Sequence, residues 1–259
     1  AGARWGSSWG LEIPLYFAPK GFEEPGTMRR STAFPLVAEE CRTTQTAAGL
    51  LDISGFSRFR ISGADAPAFL DTLLACKLPA PGRIKLAPML SQTGKLKGDM
   101  TCFNWGAGEF WLMGSYYLRA FHKRWFESHA TGDVRIEDIS DSYAGFSISG
   151  PKARDILAKL AEVDLATLRM MHCDTLDIGL HRLRAGRLSL SGELAFELHC
   201  HASEHAQVRQ LLLNAGADDG LKEIGFSAMF SMSLEKGIGI WNAEFTQGYT
   251  PAMTAMDRW

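Results

Sequence analysis

The stretch from Gly82 to Trp105 reads GRIKLAPMLSQTGKLKGDMTCFNW. Two β-prone runs flank a turn at Gln92-Thr93-Gly94, a pattern that predicts a hairpin. Beyond the turn Asp99 is the only carboxylate of the stretch, and Met100, Thr101, Cys102, Phe103 and Trp105 follow it at once. A carboxyl at the mouth of an apolar strand loses hydration. That raises its pKa and suits proton transfer or charge stabilisation. A surface acid beside a hairpin turn would carry the same letters.

Around this hairpin lie 259 residues, enough for one large domain or two smaller ones. An apolar content of 46% with 22% charged residues is that of an ordinary soluble globular protein. The net charge of −2 and the scattered basic residues argue against a nucleic-acid partner. No apolar run approaches a membrane span. The cysteines, at 41, 76, 102, 173 and 200, are odd in number and far apart. They read as reduced, buried thiols, which predicts a cytoplasmic protein, or a mitochondrial-matrix one if eukaryotic. The absence of CxxC argues against structural zinc, and no metal ligands are expected. The chain opens on Ala1 without a signal-peptide pattern and ends on Asp257-Arg258-Trp259, so a piece of a longer polypeptide is expected.

In chain order, residues 1–34 are rich in Gly, Pro and aromatics and read as an extended connector pinned by Trp5, Trp9, Tyr16 and Phe17. A helix is predicted over 36–48, with Pro35 in its first turn and Gly49 as its cap. Phe59 and Ile61 then alternate with Arg58 and Arg60 as in a strand. ISGADAPAFLDTLLA follows, with Asp65 as candidate cap and an apolar face at Phe69, Leu70, Leu73 and Leu74. The same order of strand, Ser-Gly, Pro and amphipathic helix recurs in FSISGPKARDILAKL from Phe146. Two such passages predict two related α+β lobes. Between them lie the Asp99 hairpin, a strand at 110–113, a strand around Val134 and Ile136, and a helix over 117–129. In that helix Leu118, Phe121, Trp125 and Phe126 are expected inward and Ser115 is a possible cap. Later come strands near 176–184 and 187–190, the strand ELAFELHC, and helices over 203–215 and 223–236. The ending is expected to expose Tyr249, Met253, Met256 and Trp259.

Two further passages offer chemistry. In SGELAFELH, Glu193 and Glu197 fall four apart, on one face if the whole run is a strand; a solvated face would look the same. In SLEKGIGIWNAEFTQGYTP, Glu235 closes a helix, where pairing with Lys236 or a nearby Arg is the plain reading. Two decoys can be set aside. His201-Ala-Ser-Glu204-His205 spells an inverted zinc-protease motif but straddles a strand end and a helix start, where Ser203 would cap. Gly237-Ile-Gly-Ile lacks the third glycine of a dinucleotide fingerprint, so no flavin or NAD site is visible. No nucleophile elbow occurs.

These passages, in order, resemble the glycine-cleavage T-protein (aminomethyltransferase) family. Around the hairpin that family has G-R-x-x-Y-x-x-M-L, then G-G-x-x-D-D. Here Gly82-Arg83, Met89-Leu90 and Gly94 fall in register, and Asp99 takes the place of the second aspartate. Gly98 replaces the first aspartate and Leu86 the tyrosine. SGELAFELH is similar to the family's Y-T-G-E-x-G-[FVY]-E-[IL], with Leu190 for its tyrosine. LEKG…YTP matches a later pattern, with Ser233 for an arginine. AGARWG and LEIPLYF are similar to the segment before the folate part of dimethylglycine and sarcosine dehydrogenases.

The resemblance implies an α+β fold. A ferredoxin-like subdomain (35–54 plus 144–240) would hold an inserted antiparallel β-rich subdomain (55–143). Residues 241–259 would begin a link to a C-terminal barrel missing from this chain. The implied activity is tetrahydrofolate-dependent methylene transfer in N-methylglycine catabolism, as part of a dehydrogenase whose FAD sits on a module absent here. The partners implied are folate, a one-carbon donor derived from a small methylated amine, and that flavin module. Asp99 would be the catalytic acid, Glu197 would grip the pterin, and Leu51, Phe56, Leu86 and Met113 would wall the pocket. A tetrahydrofolate-dependent S- or O-demethylase of the same fold and a non-catalytic folate-binding module stay open as alternatives.

Overall fold

The computed structural model describes residues 2–8, 10–241 and 244–256. It divides into two compact units. Unit 1 takes Ala1–Ser54, Ala144–Leu168 and Thr175–Ile238, and unit 2 takes Gly55–Tyr143, Arg169–Asp174 and Gly239–Trp259.

Unit 1 begins with strands β1 (Ala3–Ser8) and β2 (Leu11–Phe17), paired antiparallel, where an extended connector was expected. Tyr16 is buried with Ala18 and Ala33, whereas Trp5 is 60% exposed; Trp9 lies outside the described residues. Helix α1 (Phe34–Thr46) has Pro35 in its first turn. It ends at Ala47 and runs directly into β3 (Ala48–Asp52), so Gly49 is a strand residue and not a cap.

The main sheet of unit 1 uses β3 with strands introduced later in the chain. These are β9 (Tyr143–Ser149), β10 (Cys173–Ile178), β11 (His181–Gly186), β12 (Ala195–His201) and β13 (Leu221–Glu223). Their order is β10-β11-β12-β9-β3-β13, with β13 parallel to β3 and β9 antiparallel to it. The expected strand over 187–190 is absent. There Ser191 Oγ lies 3.4 Å from Ser189 Oγ and accepts the N–H of Glu193, local bonds that compete with a ladder.

One face of this sheet is apolar: Ala48, Leu50, Phe146, Ile148, Leu183, Ala185, Phe196, Leu198 and Cys200. It packs on helices α4 (Ala153–Ala158) and α5 (His205–Gly216) through Ile156, Leu157, Val208 and Leu212. Helix α5 follows a short turn capped by His201, not Ser203: the His201 side chain accepts from Ser203 N–H while Glu204 accepts from His201 N–H. Helix α6 (Phe226–Glu235) is followed by Gly237 in the left-handed region, φ 68°.

Unit 2 is built on the antiparallel order β5-β6-β7-β4-β8, from β4 (Phe56–Ser62), β5 (Arg83–Leu90), β6 (Leu96–Gly106), β7 (Glu109–Ser115) and β8 (Arg135–Asp138). Strands β5 and β6 are the expected hairpin, closed by Gly94 N–H on Ser91 carbonyl, with Gly94 at φ 73°. Helices α2 (Ala66–Leu73) and α3 (Arg119–His129) cover one face. Phe59, Ile61, Met100, Cys102 and Leu112 pack there on Phe69, Leu70, Leu73 and Phe126. Helix α3 is turned slightly from the expected face: His122 and Phe126 are buried, while Leu118, Phe121 and Trp125 are half-buried. Neither Ser115 nor Asp65 caps a helix through its side chain; Asp65 instead accepts the N–H of Asp133.

The repeated Ser-Gly passage appears once in each unit. After β4, Gly63 sits at φ 115°, and after β9, Gly150 at φ 128°. A Cβ at Gly63 would lie 2.2 Å from Asp133 carbonyl, and one at Gly150 2.4 Å from Thr44 carbonyl. Both positions therefore demand glycine twice over, by conformation and by space.

The C-terminal stretch contradicts one expectation. Met256 is buried with Leu96 and Trp241, and Tyr249 carbonyl accepts Leu96 N–H at 2.9 Å. Tyr249 and Met253 are exposed, and Trp259 lies outside the described residues.

Candidate functional site

In unit 2 the register of the antiparallel sheet fixes which residues share a face. Leu86 pairs with Thr101, Thr101 with Met113, and Met113 with Arg58. Asp99 lies one pleat from Thr101, and Phe56 one pleat from Arg58. Asp99, Leu86, Met113 and Phe56 thus lie on the face turned away from α2 and α3. Met113 is buried; Phe56, Leu86 and Asp99 keep some accessible surface.

Apolar crowding around Asp99 has an electrostatic consequence. Desolvation pushes its carboxyl up to about 7, against the pull of its own backbone N–H. Tyr117 stands near enough to respond: burial first, then the charge of Asp99, push its phenol up to about 12. It packs in the cluster of Leu86, Leu90, Leu96 and Trp241. Arg58 is wholly buried in the same sheet, its Nη1 donating to Phe56 carbonyl at 2.9 Å and Tyr143 carbonyl at 3.4 Å. The neighbouring Arg60 pairs with Glu137 at 2.8 Å. Alternation with Phe59 and Ile61 had shown which face Arg58 takes, but not that this face is buried. Phe103, Trp105, Trp111 and Tyr143 continue as a chain of ring contacts, with centroids 4.7 to 5.4 Å apart.

Gly98, one residue before Asp99, points to the helical side. A Cβ there would sit 2.6 Å from His122 Nε2 and 2.9 Å from Met89 Cε. The His122 ring occupies that space, with Nε2 donating to Lys97 carbonyl at 3.3 Å, and burial pushes its pKa down to about 4. Among the described residues Nδ1 of this ring has no hydrogen-bond partner.

In unit 1, Leu51 and Glu197 lie on the sheet face opposite α4 and α5. Leu51 pairs with Ser147, and Glu197 with Gly186. Glu197 is 5% exposed, so it belongs to no solvated face. Its Oε2 is 3.6 Å from Nε2 of His199, which is fully buried. Among the described residues the Glu197 carboxylate accepts no hydrogen bond. Glu193 is not its partner in the strand: β12 starts at Ala195, and Glu193 pairs with Lys236 at 3.3 Å. Among the described residues Glu235 is reached by Gln45 Nε2 at 3.4 Å, not by Lys236 or an arginine. Ser233 is buried and donates to Leu190 carbonyl, so the two departures from the family pattern in this unit touch each other.

The H-x-x-E-H run disperses its side chains. Glu204 meets His181 at 2.8 Å, His205 meets Asp52 at 2.8 Å, and His201 meets Ser203 at 2.8 Å. Among the described residues no group of His, Cys, Asp and Glu could hold a metal ion, and no helix is long and apolar enough to cross a membrane.

The mixed six-stranded sheet of unit 1 and the antiparallel five-stranded sheet of unit 2 define an α+β protein of the aminomethyltransferase fold. The crystal structure of the glycine cleavage system aminomethyltransferase T from Bartonella henselae superposes with a TM-score of 0.83 at 22% identity, covering 98% of this chain and 65% of that one. The chain belongs to the GCVT N-terminal domain family, whose profile matches residues 1–259. Mitochondrial dimethylglycine dehydrogenase of Rattus norvegicus is 29% identical over 251 residues, 92% of this chain and 29% of the relative. An aminomethyltransferase of Bacillus subtilis is 28% identical over 221 residues, 84% of this chain and 61% of the relative. The chain therefore spans less than two thirds of the length of either.

Proposed function

We propose that this chain carries out tetrahydrofolate-dependent transfer of a methylene unit, as the folate part of an enzyme that oxidises an N-methylglycine. The observation that supports it best is Asp99: a carboxyl raised to about 7 on a sheet face shared with Leu86, Met113 and Phe56. Its membership in the aminomethyltransferase family and its likeness to dimethylglycine dehydrogenase agree with that chemistry. The flavin that would oxidise the amine would sit on a separate module.

The donor in this reading is an iminium, CH2=N+. A folate nitrogen attacks its carbon, a C–N bond forms, and the π pair moves to the amine nitrogen. The second folate nitrogen then displaces that amine to close the methylene bridge, and the nitrogens release their protons. A carboxylate in apolar surroundings stabilises the cation and can take a proton, and a pKa near the working pH suits both tasks. Glu197 would hold the 2-amino-pyrimidinone edge of the pterin. Its buried oxygens accept no hydrogen bond from the described residues, which leaves them open to two N–H donors. Leu51 would add apolar surface on the same face of its sheet.

The test is Asp99→Asn, assayed for methylenetetrahydrofolate formed from tetrahydrofolate and a supplied iminium. Tetrahydrofolate affinity should hold, and transfer should slow by about 100-fold. The parent rate should rise with pH through about 7, as the carboxyl ionises, and the variant should lose that rise. Transfer at the parent rate in the variant would remove Asp99 from the chemistry. Tetrahydrofolate binding with no transfer by either protein would favour a binding module.

A further inference from the structure

Strand β12 carries a second buried polar side chain beside Glu197. His199 is two residues on, so it lies on the same face of the sheet. Its Nε2 is 3.6 Å from Glu197 Oε2, and the two side chains are 0% and 6% exposed. The surrounding positions on that face are known from the register. Leu51 pairs with Ser147 across β3 and β9, and Ser147 Oγ lies 3.3 Å from Ser149 Oγ. On the other side Arg184 pairs with His199, and Gly186 with Glu197. Gly186 puts no side chain over the glutamate, and the imidazole stands 3.6 Å from its carboxylate.

A buried carboxylate without hydrogen bonds is costly, and only packing fixes the direction of its lone pairs. At 3.6 Å the imidazole is just beyond hydrogen-bond length. A small rotation of either side chain would close it to a bond. One carboxylate oxygen can accept from Nε2 and still keep lone pairs for a ligand.

We propose that His199 is the positioning residue for Glu197: it holds one carboxylate oxygen so that the carboxylate presents its remaining lone pairs to paired N–H donors on a ligand. This inference rests on the reading of Glu197 as a folate-binding residue. The ligand class is that of a planar heterocycle with two adjacent N–H donors, of which the pterin of tetrahydrofolate is the probe.

The experiment is a double-mutant cycle read by calorimetric titration with tetrahydrofolate. His199→Leu keeps the volume and removes the donor; it should weaken binding roughly tenfold. His199→Gln keeps an N–H donor at similar reach and should restore binding to within about threefold of the parent. In a Glu197→Gln background His199→Leu should cost nothing further, because the effect passes through Glu197. Unchanged affinity in His199→Leu, or a loss that simply adds to that of Glu197→Gln, would overturn the proposal. If His199→Leu does not fold, the ring 15N resonances of His199 in the parent protein decide. Tetrahydrofolate must shift Nε2, and a resonance that stays in place at saturation counts against the role. The failures are distinguishable: Glu197→Gln binding like the parent sinks the folate reading of Glu197 itself, whereas Glu197→Gln weak with His199→Leu intact sinks only the inference about His199.

Discussion

At Gly98 one hydrogen atom decides what can lie behind Asp99. The His122 ring rests where a side chain at 98 would point, 2.6 Å from the position of a Cβ, and Met89 closes the other side at 2.9 Å. An imidazole wedged between strand and helix has little room to retreat, so Gly98→Ala should destabilise the protein by about 1–3 kcal/mol through overpacking. Urea unfolding of Gly98→Ala alone and combined with His122→Ala measures this. The second substitution should recover part of the loss, and an unchanged midpoint in the single variant would show that the ring moves aside freely. Residues of this kind mark the limit of what the letters convey. Asp99 was legible because it stands as the lone acid in a hairpin with clear turn chemistry. Glu197 was legible only through its resemblance, since its alternation fitted a solvated face equally well. Tyr117 and His199 were not legible as neighbours of these acids, nor Arg58 and His122 as buried groups. Their placement depends on cross-strand register, which no local pattern reports.

Among the elements, helix α1 shows how a single buried acid can join three pieces of chain. Glu40 is 7% exposed and accepts the N–H of Phe17, at the end of β2, at 2.6 Å. Its other oxygen accepts the N–H of Gly225, just ahead of α6, at 2.9 Å. Burial raises its pKa although both hydrogen bonds favour the charged form. Glu40→Ala would leave two backbone donors without an acceptor, at a cost of about 2–6 kcal/mol, since each orphaned donor costs about 1–3 kcal/mol. Glu40→Gln keeps one acceptor oxygen and should lose less. Thermal unfolding compares the two, and equal midpoints would mean that water replaces the carboxylate. Most elements were readable beforehand where period and punctuation agree: the β5–β6 hairpin, both Ser-Gly passages, and α6 stopping at Gly237. The misreadings have a shared cause. The hairpin β1–β2, the strandless 187–190 and the cap at His201 are each settled by bonds between residues whose pairing, or whose local competition, leaves no periodic trace.

On the scale of the whole molecule, the chain passes repeatedly between the two units. The resemblance places an inserted subdomain at 55–143, and the compact unit 2 contains that span together with Arg169–Asp174 and Gly239–Trp259. The added pieces bond into the unit. Ile84 N–H donates to Met171 carbonyl at 2.8 Å and Cys173 N–H to Gly82 carbonyl at 2.9 Å, both at the start of β5. Leu96 N–H, at the start of β6, donates to Tyr249 carbonyl at 2.9 Å. Leu96 is fully buried, in part by Trp241 and Met256, with Leu86 and Leu90 packed against the same cluster. A fragment of residues 55–143 would keep the five strands and the core beneath α2 and α3. It would lose those three backbone acceptor or donor partners and bare the Leu96 cluster beside Asp99. Such a fragment should retain strand structure by circular dichroism yet bind a hydrophobic dye and unfold in urea with a shallower transition than the full chain. The shallower slope follows from the smaller surface it exposes on unfolding and from loosened packing at the hairpin. Addition of 239–256 in trans, as a peptide, should suppress the dye signal by covering Leu96. A fragment that unfolds cooperatively, ignores the dye and is indifferent to the peptide would show that 55–143 is self-sufficient and that the C-terminal segment contributes nothing to the sheet that carries Asp99.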